Sequence, residues 1–208
     1  MNIRQYTDIS KSTSNDAEIL AKFKSIFYHY IEPLVDDCCM RIDFEFGLQS
    51  GKDREKTDYR KQLEHVQAVR RKIKQNYLLK VSDAFHFTSQ KTVKNPDQKI
   101  NMASASLASD AMVEESHVVA SIIRDCEHSF QGQLHQMNRQ LSIKMGKQVF
   151  SDRNNPASPA NLAHALAEVI NPLKLTTKFR VAVYKAFEDH VFSQLGFIYG
   201  ELIRQIDS

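Results

Sequence analysis

Apolar side chains recur every three or four residues along four long stretches of this chain. In the last stretch the series is Phe179, Val183, Phe187, Val191, Leu195, Ile198, Leu202 and Ile206. This spacing places them on one face of an α-helix, and such a face is buried against other helices. Only six Gly and five Pro occur among 208 residues, which disfavours hairpins, sandwiches and barrels. The sequence therefore predicts an all-α fold, a bundle of four long amphipathic helices plus one short helix.

Capping residues predict where the first helix begins. Asn15 is followed three residues later by Glu18, a spacing typical of a capping box at a helix start. Residues 1–15 are therefore predicted to be a polar tail, and residues 16–208 a single helical domain. Pro33 lies within the apolar series of this helix, where it is expected to kink or interrupt it.

Helix-breaking residues divide the rest of the chain into further segments. The second helix is expected from about Asp53 to about Phe85, and residues 88–107 are predicted to be a flexible loop between helical hairpins. A third long helix follows and ends at Gly146. A short helix begins with Ser158 as its cap, and one continuous last helix begins at Thr176 or Thr177.

The cysteines and the hydropathy pattern bear on the compartment. Cys38 and Cys39 are adjacent and the third cysteine is Cys126, so a disulfide framework is not expected and a reducing compartment fits. The first residues lack the apolar core of a signal peptide, and no charge-free apolar run of about 18 residues occurs. We therefore expect a cytoplasmic protein with no membrane span.

Positive charge is concentrated in one segment. Residues 52–99 hold thirteen basic and six acidic side chains, although the net charge of the chain is only +3. Such a segment can bind RNA or DNA phosphates, a cyclic dinucleotide or an acidic protein surface. The candidate binding residues are Arg60, Lys61, Arg70, Arg71, Lys72 and Lys74. The alternative is a solvated helix face that is partly neutralised by the acidic first helix beside it.

Two groupings resemble parts of chemical sites. Glu114 and His117 form a Glu-x-x-His unit, but a di-iron bundle needs this unit on two helices and carboxylates on two more. Cys126 lies near His128, yet it falls on an apolar stripe where a thiol is usually inert. The sequence therefore predicts no catalytic residue, no metal site and no cofactor.

The second half of the chain carries a family resemblance in residues 107–115, 155–159 and 187–199. These segments resemble the amino-terminal portion of the bacterial domain-of-unknown-function family 1631, and the similarity extends back through residues 59–85. The resemblance implies a helical bacterial protein without an established activity. Members are often labelled thymidine phosphorylase, but this chain has no Gly-rich turn that could hold phosphate.

These observations lead to three hypotheses about function. The first is a non-enzymatic adaptor or regulatory protein that binds another macromolecule, expected to be a protein, through a helical surface; self-association is a further option. The second is an RNA-, DNA- or ribosome-associated protein that uses the basic segment 52–99. The third, an enzyme of unknown type, has the least support because no catalytic constellation is found.

Overall fold

The computed structural model describes residues 3–49, 56–90, 110–146 and 149–207. Those ranges contain α-helices and no strand, which confirms the all-α prediction. The helices are α1 (Ile3–Gln49), α2 (Lys56–Gln90), α3 (Asp110–Ser129), α4 (Gln131–Met145), α5 (Pro159–Ile170), α6 (Thr177–His190) and α7 (Leu195–Asp207). A single turn of 3-10 helix, Phe192–Gln194, joins α6 to α7.

The helices share one hydrophobic core. α1 packs against α2, α4, α6 and α7, while α5 packs against α2 and α3, and α3 also contacts α6. The predicted stripes supply the buried residues: in the last stretch all eight residues of the predicted apolar series, from Phe179 to Ile206, are buried. The periodicity therefore identified the buried face correctly, and this face decides which side of each helix remains open to ligands.

Two of the predicted long helices are each divided in two. The third breaks at Phe130, between α3 and α4, and the last breaks at Val191–Gln194, between α6 and α7. At the first break the half-buried Phe130 ring lies over Gly196, where a Cβ atom would be 2.7 Å from the ring. At the second, the Ser193 hydroxyl donates to the Asp189 carbonyl at 2.7 Å. The third and last helices are therefore not continuous as the prediction of four long helices had assumed. The breaks allow α7 to pack against α4.

The ends of α1 and α2 also differ from the predictions. α1 begins at Ile3 rather than after Asn15, since the first fifteen residues contain no Gly or Pro that would stop a helix. Pro33 lies inside α1 without ending it; it is exposed, so water can bind the carbonyl that lacks its N–H donor. α2 continues to Gln90, and residues 91–107 of the predicted loop lie outside the described part of the chain.

The predicted starts of the short helix, which is α5, and of the last helix, which begins with α6, are confirmed. Ser158 caps α5 by accepting a hydrogen bond from Asn161 N at 3.3 Å, with Pro159 in the first turn. Thr176 caps α6 by accepting from Phe179 N at 3.4 Å. α4 ends as predicted at Gly146, which has a φ of +63°, a conformation that glycine adopts without strain.

The Asn-Pro-Ala-Ser-Pro segment, residues 155–159, forms a buried hydrogen-bond network. Asn155 Nδ2 donates to Asn138 Oδ1 at 2.7 Å, and Asn155 Oδ1 accepts from Ala157 N at 2.9 Å. The Tyr199 hydroxyl of α7 donates to the Ala157 carbonyl at 2.8 Å. Because these groups bind one another, the segment joins α4, α5 and α7 and has a structural role.

Among the described helices, none is both long enough and apolar enough to cross a bilayer.

Candidate functional site

One of the predicted basic residues is used inside the fold. Lys74 Nζ on α2 lies 3.0 Å from Asp36 Oδ1 and 4.0 Å from Glu32 Oε1, both on α1. The acidic first helix thus neutralises this lysine, as the alternative interpretation of the basic segment expected. Lys80, farther along α2, is bound in the same manner by Glu168 of α5 at 2.8 Å.

The other candidate basic residues differ in their exposure. Lys61, Arg71 and Lys72 are exposed, and Arg70 is half-buried. The side chain of Arg60 lies outside the described part of the structure. Lys61 and Lys72 are about three helical turns apart and therefore lie on the same face of α2. Of the five described candidates, three are exposed, Arg70 is half-buried and Lys74 is engaged by α1.

Cys126 and the Glu114–His117 unit, the two chemical groupings noted in the sequence, both lie on α3. Cys126 is buried, and this burial, with the Glu188 carboxylate as a second cause, raises its pKa to about 11. The thiol is therefore protonated at neutral pH and is a poor nucleophile. Within the described ranges, no three His, Cys, Asp or Glu side chains come together as they would around a metal ion.

A buried ion pair joins α3 to α6. Arg180 on α6 approaches Glu115 Oε1 on α3 with both Nε and Nη2, each at 2.7 Å. Glu115 is only 8% exposed. Local spacing gives no sign of this burial, because the partner lies 65 residues away.

This ion pair lies at the wall of a cleft between α3, α5 and α6. The cleft has a volume of about 550 Å³ and its lining includes Val119, Ile123, His164, Ala167 and Tyr184. Burial, with Glu115 as a second cause, raises the pKa of Tyr184 to about 12. The Tyr184 hydroxyl therefore keeps its proton at neutral pH and can act as a donor. This volume falls within the range of small-molecule sites.

A second candidate surface consists of aromatic side chains of α1 and α7. The Tyr30 and Phe197 rings meet edge to face with centroids 5.6 Å apart, and His29 meets Tyr30 at 4.9 Å. Phe197 is 59% exposed. We call His29, Tyr30 and Phe197 the aromatic patch. This patch has no signal in the sequence, because Phe197 lies between the buried positions 195 and 198 and Tyr30 is adjacent to the buried Ile31.

Polar groups surround the aromatic patch. The Tyr30 hydroxyl donates to Glu201 Oε2 at 3.1 Å, and Gln205 Nε2 lies 3.3 Å from the same hydroxyl. Arg204 forms an ion pair with Glu201. The two charges beside the patch are therefore of opposite sign, and they do not give it the positive field that phosphate binding needs.

The fold and these two surfaces define an all-helical domain with an apolar cleft and an exposed aromatic patch. A family model described as "Protein of unknown function (DUF1631) N-terminal domain" matches residues 16–204. The chain therefore belongs to this family, which confirms the resemblance found in the sequence. No curated protein and no solved structure matches the chain.

Proposed function

We propose that this domain is a non-enzymatic binding module, an adaptor or regulatory protein that binds another protein through the aromatic patch. The observation that carries the proposal is the exposure of Phe197, 59%, on an α7 whose other large apolar residues from Leu195 to Ile206 are buried or half-buried. Exposed aromatic side chains are enriched at protein interfaces and supply much of their binding energy.

Contacts within the chain hold the Tyr30 side chain of the patch in place. The Tyr30 ring is fixed by its edge contact with Phe197, and its hydroxyl is bound by Glu201. Binding of a partner therefore costs little conformational entropy at this surface, which favours affinity. An apolar side chain of the partner would cover the Phe197 ring, and the polar groups of Glu201 and Arg204 would remain at the rim.

Nucleic-acid binding is the second candidate, and the exposed Lys61, Arg71 and Lys72 favour it. With three cations bound to a single-stranded nucleic acid, the logarithm of the affinity would fall with the logarithm of the salt concentration, with a slope of about −2. The pairing of Lys74 with Asp36 and Glu32 removes one cation from this surface. We therefore rank it below protein binding.

Capture of binding partners from the lysate of cells that naturally express the chain distinguishes protein binding from nucleic-acid binding. The baits are the wild-type chain, Phe197→Ala, and Leu79→Ala as a matched control, since Leu79 on α2 is 61% exposed and lies outside the patch. We expect one protein to be retained by wild type and Leu79→Ala, lost with Phe197→Ala, and unaffected by nuclease treatment or by moderate salt.

Other results would replace the proposal. Retention of the same proteins by all three baits would reject the aromatic patch as the binding surface. Nucleic acid that is released by moderate salt, and by charge reversal of Lys61, Arg71 and Lys72, would support the second candidate. Self-association in sedimentation equilibrium that Phe197→Ala abolishes would identify a second copy of the chain as the occupant.

A further inference from the structure

The cleft between α3, α5 and α6 shares no residue with the aromatic patch, and its chemistry is different. Its walls are largely apolar, with Val119 and Ile123 from α3. Two small side chains, Ala120 of α3 and Ala167 of α5, face the same space. Because neither alanine fills the space between the helices, the cleft stays open with a volume of about 550 Å³.

Within the described part of the chain, the polar end of the cleft has unused hydrogen-bonding capacity. Both contacts of Arg180 go to Glu115 Oε1, so neither involves Glu115 Oε2 or Arg180 Nη1. A carboxylate oxygen accepts hydrogen bonds, and the guanidinium nitrogen carries two N–H donors. The side chains of Arg180 and Glu115 are 20% and 11% exposed, so a molecule in the cleft can reach this pair.

The opposite charges of the pair determine which ligand fits. A carboxylate ligand would meet Arg180 but would be repelled by Glu115, and a cationic ligand would meet the reverse situation. A neutral group that carries a donor next to an acceptor satisfies both partners at once. A carboxamide or lactam has this arrangement, because its N–H binds a carboxylate and its carbonyl binds a guanidinium.

We propose that the cleft binds a small neutral molecule with an apolar ring and a carboxamide or lactam edge. The ring lies between Val119, Ile123 and Ala167, and the amide edge bridges Glu115 Oε2 and Arg180 Nη1. Because the site is separate from the aromatic patch, it goes beyond the protein-binding function and does not depend on it. Small-molecule sites commonly combine an apolar wall with a few convergent polar groups.

Three probes of equal shape test this assignment. Benzamide offers a neutral donor and acceptor, benzoate offers only anionic acceptors, and benzamidinium offers only cationic donors. Each is titrated into the full chain at about pH 8, where free imidazole is neutral, and binding is followed by saturation-transfer NMR. We expect benzamide to bind at least about tenfold more tightly than either ion, because each ion faces one like charge.

Two variants separate recognition by the cleft from non-specific binding. Ala120→Leu places a larger side chain in the cleft from an exposed position and leaves both charges of the ion pair in place, and it should abolish benzamide binding. Ala68→Leu, at an exposed position on α2, is the matched control and should bind as wild type does. Glu115→Gln removes the negative charge and should reverse the preference, so that benzoate binds more tightly than benzamide.

Several outcomes would overturn the proposal. It fails if none of the three probes binds the wild-type chain more tightly than it binds Ala120→Leu. It also fails if wild type prefers benzoate or benzamidinium, or if Glu115→Gln leaves the order of the three probes unchanged. Loss of partner binding by Phe197→Ala leaves these results unaffected, so the two proposals fail independently.

Discussion

Arg180 of α6 and Glu115 of α3 form a buried contact in which two guanidinium nitrogens share one carboxylate oxygen, each at 2.7 Å. This contact is a polar link between α3 and α6, and it borders the cleft. A buried charge is tolerated when its partner is present and becomes costly when the partner is removed. The pair therefore fixes the α3–α6 contact and also polarises one end of the cleft.

The first prediction concerns this pair. Arg180→Met should lower the free energy of unfolding by about 3 kcal/mol, because it leaves the Glu115 carboxylate buried without its cation. The double variant Glu115→Gln, Arg180→Met should recover most of the loss, since no uncompensated charge remains. Urea denaturation of the two single variants and the double variant measures the coupling. Additive losses in the double variant would show that the two side chains act separately.

The second prediction concerns Gly196 at the start of α7. A Cβ atom there would lie 2.7 and 2.8 Å from two carbons of the Phe130 ring. Gly196→Ala should therefore cost about 1 to 3 kcal/mol as the ring is displaced. Gly200→Ala is the matched control, because its Cβ would have no neighbour within 4 Å and alanine favours a helix by about 0.5–1 kcal/mol. Equal thermal stabilities of the two variants would contradict the close packing.

The third prediction concerns two buried tyrosines. Within the described structure the hydroxyl of Tyr77 is buried and has no hydrogen-bond partner, whereas that of Tyr199 donates to the Ala157 carbonyl. Tyr77→Phe should be neutral or stabilise the fold by about 1 kcal/mol, and Tyr199→Phe should destabilise it by about 1 kcal/mol. Both are measured by urea denaturation at neutral pH. A large loss with Tyr77→Phe would mean that a buried water binds its hydroxyl.

The fourth prediction concerns alkaline pH. Burial raises the pKa of Cys126 from 9.0 to about 11 and that of Cys39 from 9.0 to about 12. The folded chain therefore holds these protons more tightly than the unfolded chain does. The resulting stability is fully present below about pH 9 and is lost as the pH rises toward 11 or 12. At pH 10 the loss should reach about 1 kcal/mol for each thiol.

A double variant tests the origin of this alkaline loss. Replacing Cys39 and Cys126 by alanine should remove the decline that begins near pH 9. The decline that begins near pH 10 should remain, because burial also raises the pKa values of Tyr28 and Tyr184 from 10.0 to about 12. Urea denaturation from about pH 7 to 11 provides the comparison. An identical pH profile in the double variant would contradict the assignment to the thiols.

The sequence predicted the buried faces well because burial depends on a local period of three to four residues. It did not predict the breaks at Phe130 and Val191, since the apolar period continues almost unchanged through both. Those breaks follow from tertiary packing, in particular from the fit of the Phe130 ring over Gly196. Local spacing therefore identified which residues are buried but not where a helix changes direction.

The candidate site was harder to predict because it depends on contacts between distant segments. The Glu115–Arg180 pair spans 65 residues, and the cleft depends on the register that brings Ala120 and Ala167 to facing positions. Neither relationship has a signature in the spacing of residues within one helix. The basic segment was visible in composition, but the pairing of Lys74 with α1 depends on which helix packs beside it.

The contribution of Phe197 to binding of a purified partner is the most direct test of the proposed function. Calorimetry should give a negative heat-capacity change, as expected when apolar surface is buried. Phe197→Ala should raise the dissociation constant about thirtyfold, a loss of about 2 kcal/mol of binding free energy. Leu79→Ala should leave the dissociation constant unchanged. Equal affinities of Phe197→Ala and wild type, or an affinity that falls steeply with salt, would contradict protein binding through the aromatic patch.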